Sequence, residues 1–383
     1  MPRSPIVHSP LLKTPGAVPA IGPDTGVAWH YGDPAREQLA LATGRAIVDQ
    51  SHLGVVTVTG ADRLSWLNTL GTQKVDDLAP WTSVEWMILS PQGRIEHVAG
   101  LVDDGTTAWL FTETAEGLAA HLEKMRFTRQ VDITNATTEW AALGEAVALE
   151  GSPSGPVTWV DPWPDVMPGG TTYHSDSSHP GAGRAWRLLL VPRSGLHADV
   201  ESRLAAGALL AGTWASEAER IAAWRPRAAT EVDGTSLPHE FDWLRTAVHL
   251  DKGCYRGQET VAKVHNVGRP PRRLAFLHLD GSGHELPAPG AAIRAGDDVV
   301  GHVTSAARHF EQGPIALALL KRGTPPEAVL TVDGPPGEPI AASATPIVNP
   351  AGTSVDRPPP PGPTARGLLM GRGCTADGGD AGV

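Results

Sequence analysis

The sequence predicts an α+β fold with more than one lobe, and three observations predict it. Short runs that alternate apolar and polar residues, as half-buried strands do, are interspersed with runs of helical spacing. Glycine and proline number 43 and 35, which favours a strand-rich and turn-rich chain over a helical one. The chain has 383 residues, 41% of them hydrophobic, and is therefore long enough to bury two or three domain cores.

The first half of the chain predicts an antiparallel sheet with helices. Helices are expected at residues 33–44, after Gly60-Ala61-Asp62 and at residues 115–125. Strands are expected at residues 47–49, 55–58, 84–89, 95–102, 108–112, 131–134 and 140–149. The order of strand, helix, two strands, helix and strand is typical of a ferredoxin-like unit.

The second half predicts a long loop and then a small barrel. Residues 151–183 are the richest in turn-forming residues, and we expect a mobile insertion there. Short strands at residues 274–279, 292–293, 299–304 and 315–320 are typical of a β-barrel, with a domain boundary near Pro270-Pro271. Residues 1–24 and the Pro/Gly-rich tail at 350–383 are predicted to be disordered, and a C-terminal barrel domain is predicted at 270–349.

Composition excludes several classes of protein. A net charge of -11 argues against a nucleic-acid binder, so we expect no direct contact with nucleic acid. The two cysteines, Cys254 and Cys374, lie too far apart for a CxxC zinc motif or a disulfide framework, which favours a reducing compartment. No signal peptide or membrane-spanning run is expected, so the sequence predicts a cytoplasmic protein. The fifteen histidines lack metal-ligand spacing, and no metal site is predicted.

One segment concentrates residues that could carry chemistry. It reads Lys252-Gly253-Cys254-Tyr255-Arg256-Gly257-Gln258-Glu259. The cations on either side of Cys254 favour its thiolate, the glycines allow tight turns, and the last two residues stand where a helix is expected to begin. Taken by itself, a cysteine between glycines is also compatible with a small buried apolar residue.

This octapeptide, followed by Val261-Ala262-Lys263, resembles the signature of the YgfZ-type folate-binding proteins, relatives of the glycine-cleavage T-protein GcvT. The run from Gly268 to Leu274 is similar to the family's passage into its last domain, and a weaker similarity covers about residues 25–345. The resemblance implies a three-lobed arrangement around a central folate-sized cavity. Two sheet-containing lobes with interleaved segments occupy residues 25–269, and a terminal β-barrel follows.

The sequence departs from the family pattern at two places. One helix of the family contains an Arg-Ile/Leu pair and ends in Gly-x-Pro. The corresponding segment of this chain keeps Arg220 and Pro226, but Trp224 replaces the glycine. T-proteins place a pterin-contacting glutamate where this chain has Ala222. They also carry an acidic pair for aminomethyl transfer, and here Glu96 is followed by His97. Because proton transfer tolerates little displacement, aminomethyltransferase activity is doubtful.

The resemblance implies a protein that binds tetrahydrofolate or a derivative and supports assembly or repair of iron-sulfur clusters, including those of tRNA-modifying enzymes. It implies iron-sulfur assembly proteins or cluster-containing client enzymes as partners, and we expect a monomer. The alternative is a tetrahydrofolate-dependent aminomethyltransferase or demethylase, and a third reading is an interaction scaffold using the Pro-rich tail. The catalytic candidates are Cys254 and Glu96. The implied folate contacts are Lys252, Gly253, Tyr255, Arg256, Gly257, Gln258, Glu259 and Arg220.

Two further groups are candidates for folate contacts. Arg225 and Arg227 could line a groove for the glutamate tail of folate, although solvated surface is the simpler interpretation. Trp66 or Trp86 could stack on a pterin ring, although core positions are the more common role of tryptophan.

Overall fold

The computed structural model describes residues 6–148, 155–175, 178–283, 285–334 and 338–359. Within these ranges the α-helices are α1 (Pro34–Ala42), α2 (Arg63–Leu70), α3 (Ala115–Met125), α4 (Leu196–Ala205), α5 (Thr213–Ala222), α6 (Ala228–Glu231) and α7 (Gln258–Asn266). Short 3-10 helices lie at Pro10–Lys13, Gly22–Asp24, Pro180–Gly183, Arg193–Gly195, Pro238–Phe241 and Trp243–Arg245.

The strands of the described ranges are β1 (Val18–Pro19), β2 (Ala28–His30), β3 (Ala46–Asp49), β4 (Gly54–Thr59), β5 (Ser83–Leu89), β6 (Ile95–Asp103), β7 (Thr107–Thr112), β8 (Asp132–Asn135) and β9 (Trp140–Glu145). They continue with β10 (Thr158–Val160), β11 (Arg187–Pro192), β12 (Leu209–Ala211), β13 (Arg272–Leu279), β14 (Ala292–Ala295), β15 (Asp298–His309), β16 (Gly313–Lys321), β17 (Leu330–Asp333) and β18 (Pro339–Pro346).

The first lobe is an antiparallel sheet with the strand order β5-β6-β7-β4-β8. Helices α2 and α3 supply apolar side chains to its core, among them Leu67 and Leu118. The ferredoxin-like prediction is wrong for this lobe. A third strand follows the β5–β6 hairpin, so β7 runs antiparallel to β4, whereas the two middle strands of a split βαβ unit would be parallel.

The second lobe is interleaved with the first along the chain. Its sheet has the order β10-β11-β9-β3-β12, and β12 pairs with β3 in parallel. The chain enters this sheet with β3, leaves to build the first lobe, and returns with β9. The predicted arrangement of two sheet-containing lobes with interleaved segments is confirmed.

The third lobe is a closed six-stranded barrel with the order β13-β16-β15-β14-β17-β18. Its first strand begins at Arg272, directly after Pro270-Pro271, and closure pairs β13 with β18. Apolar side chains from these strands, among them Leu277, Val303 and Leu320, fill the barrel. The predicted C-terminal barrel is therefore present.

Helix α5 lies where the three lobes meet. It packs against α1, against β3 and β12 of the second lobe, and against β15 of the barrel. The largest apolar cluster of buried residues includes part of this helix. It brings together Met87 of the first lobe, Phe276 of the barrel, and Trp163 and Trp243 from the segments between them. The junction beside this helix is thus a packed core, and the cavities lie around the helix rather than along one central channel.

The prediction of disorder is wrong for residues 6–24. Leu11 is 2% exposed and packs with Leu143 and Val200 of the second lobe. The pairing of β1 with β2 holds the next residues, and Asp24 is buried beside Arg227. Prolines in this segment restrict the chain to an extended path, and they do not prevent its side chains from being buried.

Two other segments predicted to be mobile are held against the folded body. In the predicted insertion at 151–183, Trp163 and Tyr173 are fully buried, because a Pro/Gly-rich path still carries large apolar anchors. In the predicted disordered tail, the described residues 350–359 dock through Val355, whose N–H donates to the Thr172 carbonyl at 3.0 Å. Residues 360–383 lie outside the described residues. Among the described helices, none has the length and apolarity needed to cross a membrane.

Candidate functional site

Several cavities are lined by helix α5, and two of them, on different faces of the helix, adjoin each other. Thr213, Ser216, Glu217 and Arg220 recur every three or four residues, share one helix face and line a cavity of about 160 Å³. Glu219, Ala222 and Ala223 share another face and line a cavity of about 340 Å³. Both cavities contact Arg184 and Trp186, so they adjoin each other. We call them the first and the second cavity.

Paired charges dominate the first cavity. Its lining includes five carboxylates and four arginines, which are Asp24, Glu85, Glu113, Asp161, Glu217, Arg184, Arg220, Arg225 and Arg227. Arg225 binds Glu85 at 2.7 Å and Asp161 at 3.1 Å. Arg227 binds Asp24 at 2.7 Å, Glu217 at 3.2 Å and also Glu113. These contacts join the N-terminal segment, the first lobe and α5 at one point.

The pairing sets the protonation of these groups. Burial alone would raise the pKa of Asp161, but the guanidinium groups of Arg225 and Arg184 hold it below its ordinary value. Glu85 is equally buried, and there burial prevails over Arg225 and raises the pKa. Every arginine lining the first cavity is already paired with a carboxylate. An anionic ligand would therefore have to compete with carboxylates for them.

A turn at the end of α5 delivers two of these arginines. The Arg225 N–H donates to the Arg220 carbonyl at 3.0 Å, and the Trp224 N–H donates to the Ile221 carbonyl at 2.9 Å. This pair of bonds is the Schellman motif, which needs a left-handed residue and usually takes glycine. Trp224 occupies that position with φ of 58°. The chain reverses there, so that Arg225 and Arg227 return to the cavity.

The walls of the first cavity suit a planar polar ring. Phe111, Trp159, Trp186 and Trp243 contribute aromatic surface. The Thr213 hydroxyl is buried and has no hydrogen-bond partner in the described part of the chain. A cavity of about 150 Å³ holds a benzene ring, so the first cavity has room for one ring system. The residues present fit one part of a folate molecule, but only if the rest extends into adjoining space.

The second cavity carries a histidine and a carboxylate in close approach. The His309 Nε2 lies 3.4 Å from Glu219 Oε1. His309 Nδ1 accepts the N–H groups of Glu311 and Gln312 at 3.1 and 3.2 Å, so in the neutral ring the proton sits on Nε2. Glu219 Oε1 is buried and makes no hydrogen bond to any described residue. Trp186 and Phe310 supply aromatic surface to the same cavity.

The predicted octapeptide lies on a loop rather than at these cavities. Lys252 is buried, and its ammonium donates to the carbonyls of Asn68, Gly71 and Gln73 at 2.5, 2.6 and 3.0 Å. It thereby satisfies carbonyls at the C-terminal end of α2. Burial lowers its pKa to about 8. Lys252 thus has a structural role, and its predicted contact with folate stays a prediction.

Three more members of the octapeptide have structural roles. The Tyr255 ring belongs to the core cluster at the junction of the lobes, and burial raises its pKa. Gly257 has φ of +87° and is the N-cap residue directly before α7, and a Cβ there would lie 2.5 Å from the Ser90 carbonyl oxygen. The Gln258 amide donates to the Lys252 carbonyl at 3.5 Å. These contacts fasten the loop to the β5–β6 turn.

The other members form an exposed patch. Gly253, Cys254, Arg256 and Glu259 are exposed. Arg256 forms an ion pair with Glu96 at 3.0 Å, so the structure brings the predicted catalytic carboxylate onto the same surface as the octapeptide. We call Glu96 and these four residues the Cys254 patch.

The chain has two cysteines, and the structure describes Cys254, which is exposed on this patch. Cys374 lies outside the described residues.

Beside the patch, His97 follows Glu96 but points inward. Burial first, and then the neighbouring His121, lower its pKa to about 4, so the ring is neutral at pH 7. Its Nδ1 lies 2.8 Å from the Thr114 hydroxyl. Glu96 and His97 therefore do not act as a pair of acids.

The predicted folate contacts divide between two locations. Arg220 lines the first cavity, where it binds Glu217 at 2.8 Å, while the octapeptide is not part of either lining. Trp66 and Trp86 lie in the core of the first lobe with 2% and 0% exposure, so neither can stack on a ligand there. Arg225 and Arg227 do line a cavity, as the groove hypothesis required.

Sequence reasoning missed most of the ion network. Asp24, Glu85, Glu113, Asp161 and Arg184 come from segments far apart in the chain, and no local pattern marks them. The Arg225-Pro226-Arg227 run was the one local signal. Across the part of the chain that the structure describes, no group of three or more His, Cys, Asp or Glu side chains could hold a metal ion.

Comparisons with known proteins agree with this architecture. Residues 272–348 match the glycine cleavage T-protein C-terminal barrel domain. The structure of the glycine cleavage system aminomethyltransferase T from Bartonella henselae superposes with a TM-score of 0.69 at 16% identity. The match covers 87% of this chain and 94% of that one. The chain therefore has a GcvT-like fold, as predicted.

Curated relatives fall into two groups. A chloroplastic protein of Arabidopsis thaliana, described as a transferase, is 25% identical over 74% of this chain and 66% of its own length. An aminomethyltransferase of Streptomyces coelicolor is 24% identical over 76% of this chain and 82% of its own length. A mitochondrial iron-sulfur cluster assembly factor IBA57 homologue of Mycosarcoma maydis is 26% identical over 62% and 58%. The match to this chain thus spans just under two thirds of the length of the Arabidopsis protein and 58% of the length of the Mycosarcoma protein.

Proposed function

We propose that this protein, whose fold is GcvT-like and whose C-terminal domain is a T-protein barrel, binds a tetrahydrofolate-type ligand and supports iron-sulfur cluster assembly or repair. Its similarity to an iron-sulfur cluster assembly factor supports the second part. Its similarity to an aminomethyltransferase supports the first. When bound, tetrahydrofolate supplies one-carbon chemistry. The chain's own residues would bind and orient it in the cavities beside α5.

The observation that carries the proposal is that Glu96, the predicted catalytic carboxylate, lies away from both cavities. Glu96 is held by Arg256 outside both cavities, and the neutral ring of His97 replaces the second acid. A general acid has to come within hydrogen-bond reach of the reacting atoms, and Glu96 lines neither of the two cavities. Ligand binding without turnover is the function that this arrangement supports best.

The Cys254 patch is the surface that we assign to partners. It presents a cysteine, a cation and carboxylates, and the hydrogen bonds of Lys252 hold its loop in place. The partners would be iron-sulfur assembly proteins or client enzymes that carry clusters, tRNA-modifying enzymes among them. A cytoplasmic location and a monomeric state remain predictions.

The test is complementation in a deletion strain of the source organism. Activities of several iron-sulfur enzymes are measured with the wild-type chain, with Cys254→Ala and with Glu327→Gln, a control at an exposed residue of the barrel outside the patch. We expect deletion to lower the activities, the wild type and the control to restore them, and Cys254→Ala to fail. Unchanged activities after deletion would remove the cluster function. Full rescue by Cys254→Ala would leave that function but make the cysteine dispensable.

A tetrahydrofolate-dependent aminomethyltransferase or demethylase is the second candidate. One observation favours it, because the Glu96 side chain is 34% exposed and remains available to a substrate. Purified protein is assayed for methylenetetrahydrofolate formation, with Glu96→Gln and the neighbouring Arg94→Gln as a matched pair. Turnover that Glu96→Gln abolishes and Arg94→Gln retains would establish this function. Folate binding without turnover would exclude it.

A further inference from the structure

We propose that Arg269, Arg322 and Arg357 form a binding site for the phosphate group of a small soluble ligand. The inference goes beyond the proposed function, because none of the three residues lines the first or the second cavity or belongs to the Cys254 patch. They come from three segments of the chain. Arg269 lies between α7 and the barrel, Arg322 directly follows β16, and Arg357 belongs to the described part of the tail.

Two of the guanidinium groups converge on one backbone oxygen. Arg357 Nη1 donates to the Gly268 carbonyl at 2.8 Å, and Arg269 Nη1 donates to the same carbonyl at 3.2 Å. Neither side chain makes another hydrogen bond within the described ranges, so the remaining N–H groups of both forks are left for a ligand. The two positive charges also repel each other. Burial and then Arg269 lower the pKa of Arg357, and an anion between the two groups would offset this repulsion.

Arg322 reaches the same place from the barrel. A Cβ built on Gly352 would lie 3.3 Å from Arg322 Cδ and 3.4 Å from Arg269 Cδ, so the stems of both arginines border this glycine. The turn that carries Gly352 is fixed, because its N–H donates to the Asn349 carbonyl at 2.9 Å. The Arg322 N–H donates to the Pro271 carbonyl at 3.0 Å, which places the backbone on the other side. The site is therefore arranged before a ligand binds.

These cations lack the carboxylates that neutralise other arginines of the protein. In the first cavity every arginine is ion-paired, whereas none of the three proposed residues forms an ion pair with a carboxylate that the structure describes. Asp356 precedes Arg357 in the chain, but its carboxylate accepts the hydroxyl of Thr171.

A fourth arginine adds to the positive field from below. Arg273 is 2% exposed, and its guanidinium donates to the carbonyls of Arg322 and Thr324. Its Nε is buried without a hydrogen-bond partner in the described chain, and it has no ion pair there either. A buried cation without a carboxylate strengthens the attraction of the site for an anion, because its field is less screened than that of an exposed charge.

The arrangement fits phosphate better than other anions. A carboxylate offers two coplanar oxygens, which one guanidinium fork can occupy, whereas a phosphate group presents acceptor oxygens on several sides to forks from different segments. The net charge of -11 also disfavours a long polyanion, since the rest of the surface would repel it. A small ligand with one or two phosphate groups avoids that repulsion.

The experiment is calorimetric titration of the full chain with sodium pyrophosphate in a phosphate-free buffer. We expect a dissociation constant below about 1 mM that rises with added NaCl, because salt screens exposed charges. Arg269→Gln and Arg322→Gln each remove one fork and should weaken binding about 10-fold. Arg269→Lys keeps the charge without the fork and should fall between Arg269→Gln and the wild type.

Arg129→Gln is the matched control, because Arg129 is an exposed arginine of the first lobe outside the site. It should bind pyrophosphate within about 2-fold of the wild type. Thermal melting checks that each variant is folded, which is expected because Arg269 and Arg322 are exposed. No binding at pyrophosphate concentrations on the order of 10 mM, or equal weakening by Arg129→Gln, would overturn the proposal.

Two other ligands test the assignment to a small phosphate. Glutarate, a dicarboxylate, should bind more weakly than pyrophosphate, and equal or tighter binding would refute the preference for phosphate. Tighter binding of an oligothymidylate through the same arginines would show that the site serves a nucleic-acid backbone instead. Folate binding is measured separately, so either result leaves the proposed function untouched.

Discussion

The turn at Trp224 can be tested by comparing the stabilities of Trp224→Ala and Trp224→Gly. We expect the glycine variant to be the more stable of the two, which is the reverse of the usual order in helices. The Trp224 ring is 7% exposed and contacts His174, His179 and Phe276 at ring distances of 5.3 to 6.0 Å. Removal of a buried tryptophan costs about 3 to 5 kcal/mol. Trp224→Ala should lose that amount, because alanine keeps the strain of the left-handed backbone at φ of 58°.

Trp224→Gly loses the same ring but is free of that strain, which is about 1 to 2 kcal/mol for a residue with a Cβ. Part of the gain is offset by the larger entropy of glycine in the unfolded chain, about 0.5 to 1 kcal/mol. The glycine variant should therefore be about 1 kcal/mol more stable than the alanine variant, although both fall below the wild type. The opposite order is normal inside helices, where glycine is about 1 kcal/mol worse than alanine.

The measurement is urea unfolding of the three proteins, followed by far-UV circular dichroism. Ala223→Gly is the matched control, because Ala223 has an ordinary φ of -85° and gains nothing from glycine. It should be less stable than the wild type by up to about 1 kcal/mol. If Trp224→Ala equals or exceeds Trp224→Gly in stability, the turn does not depend on a left-handed residue and the reasoning is refuted.

Three further changes test other contacts. Lys252→Met removes the ammonium group that donates to three backbone carbonyls, and it should lower the free energy of unfolding by about 3 kcal/mol. Urea titration measures this, and an unchanged value would mean that solvent replaces the ammonium. Gly257→Ala should cost more than about 2 kcal/mol of stability because its Cβ would meet backbone atoms. Gly253→Ala, with open space around it, should change stability by less than about 0.5 kcal/mol. Equal effects of the two substitutions would contradict this account. Asp242 is fully buried, and burial, opposed by Arg245, raises its pKa from 3.8 to about 6. Folding then favours the protonated carboxyl. As the pH rises from about 4 to 6, the contribution of Asp242 to the free energy of unfolding should therefore fall by up to about 3 kcal/mol. Asp242→Asn should remove that component from the pH profile of urea unfolding, and a profile identical to the wild type would show that Asp242 ionises normally.

Local patterns were sufficient for most of the elements. Asp33 accepts the Arg36 N–H at 3.1 Å and Pro34 follows it, so α1 begins where the sequence predicts a helix. Residues 115–125 form α3 with the predicted bounds, because their apolar positions recur at helical spacing. The barrel strands follow the same logic at period two. Such signals depend on neighbours in the chain, so the sequence alone contains them.

The candidate site depends on contacts that no local pattern records. Arg227 binds Asp24 across 203 positions, and Gln38 fixes the loop of His309 from the other end of the chain. The octapeptide is the opposite case. It is the most distinctive motif of the chain, yet much of it serves the structure, with Lys252 satisfying the end of α2 and Gly257 allowing the β5–β6 turn to approach.

The amino-acid sequence by itself determined the α+β class, the start of the terminal barrel and the family resemblance that supports the proposed function, because periodicity, turn residues and short motifs are local properties. The tertiary structure decided which charges face each other, that residues 6–24 and 350–359 are held in place, and that Trp66 and Trp86 are core residues. Burial and pairing arise only when distant segments meet. The chemistry of the cavities beside α5 therefore follows from the fold.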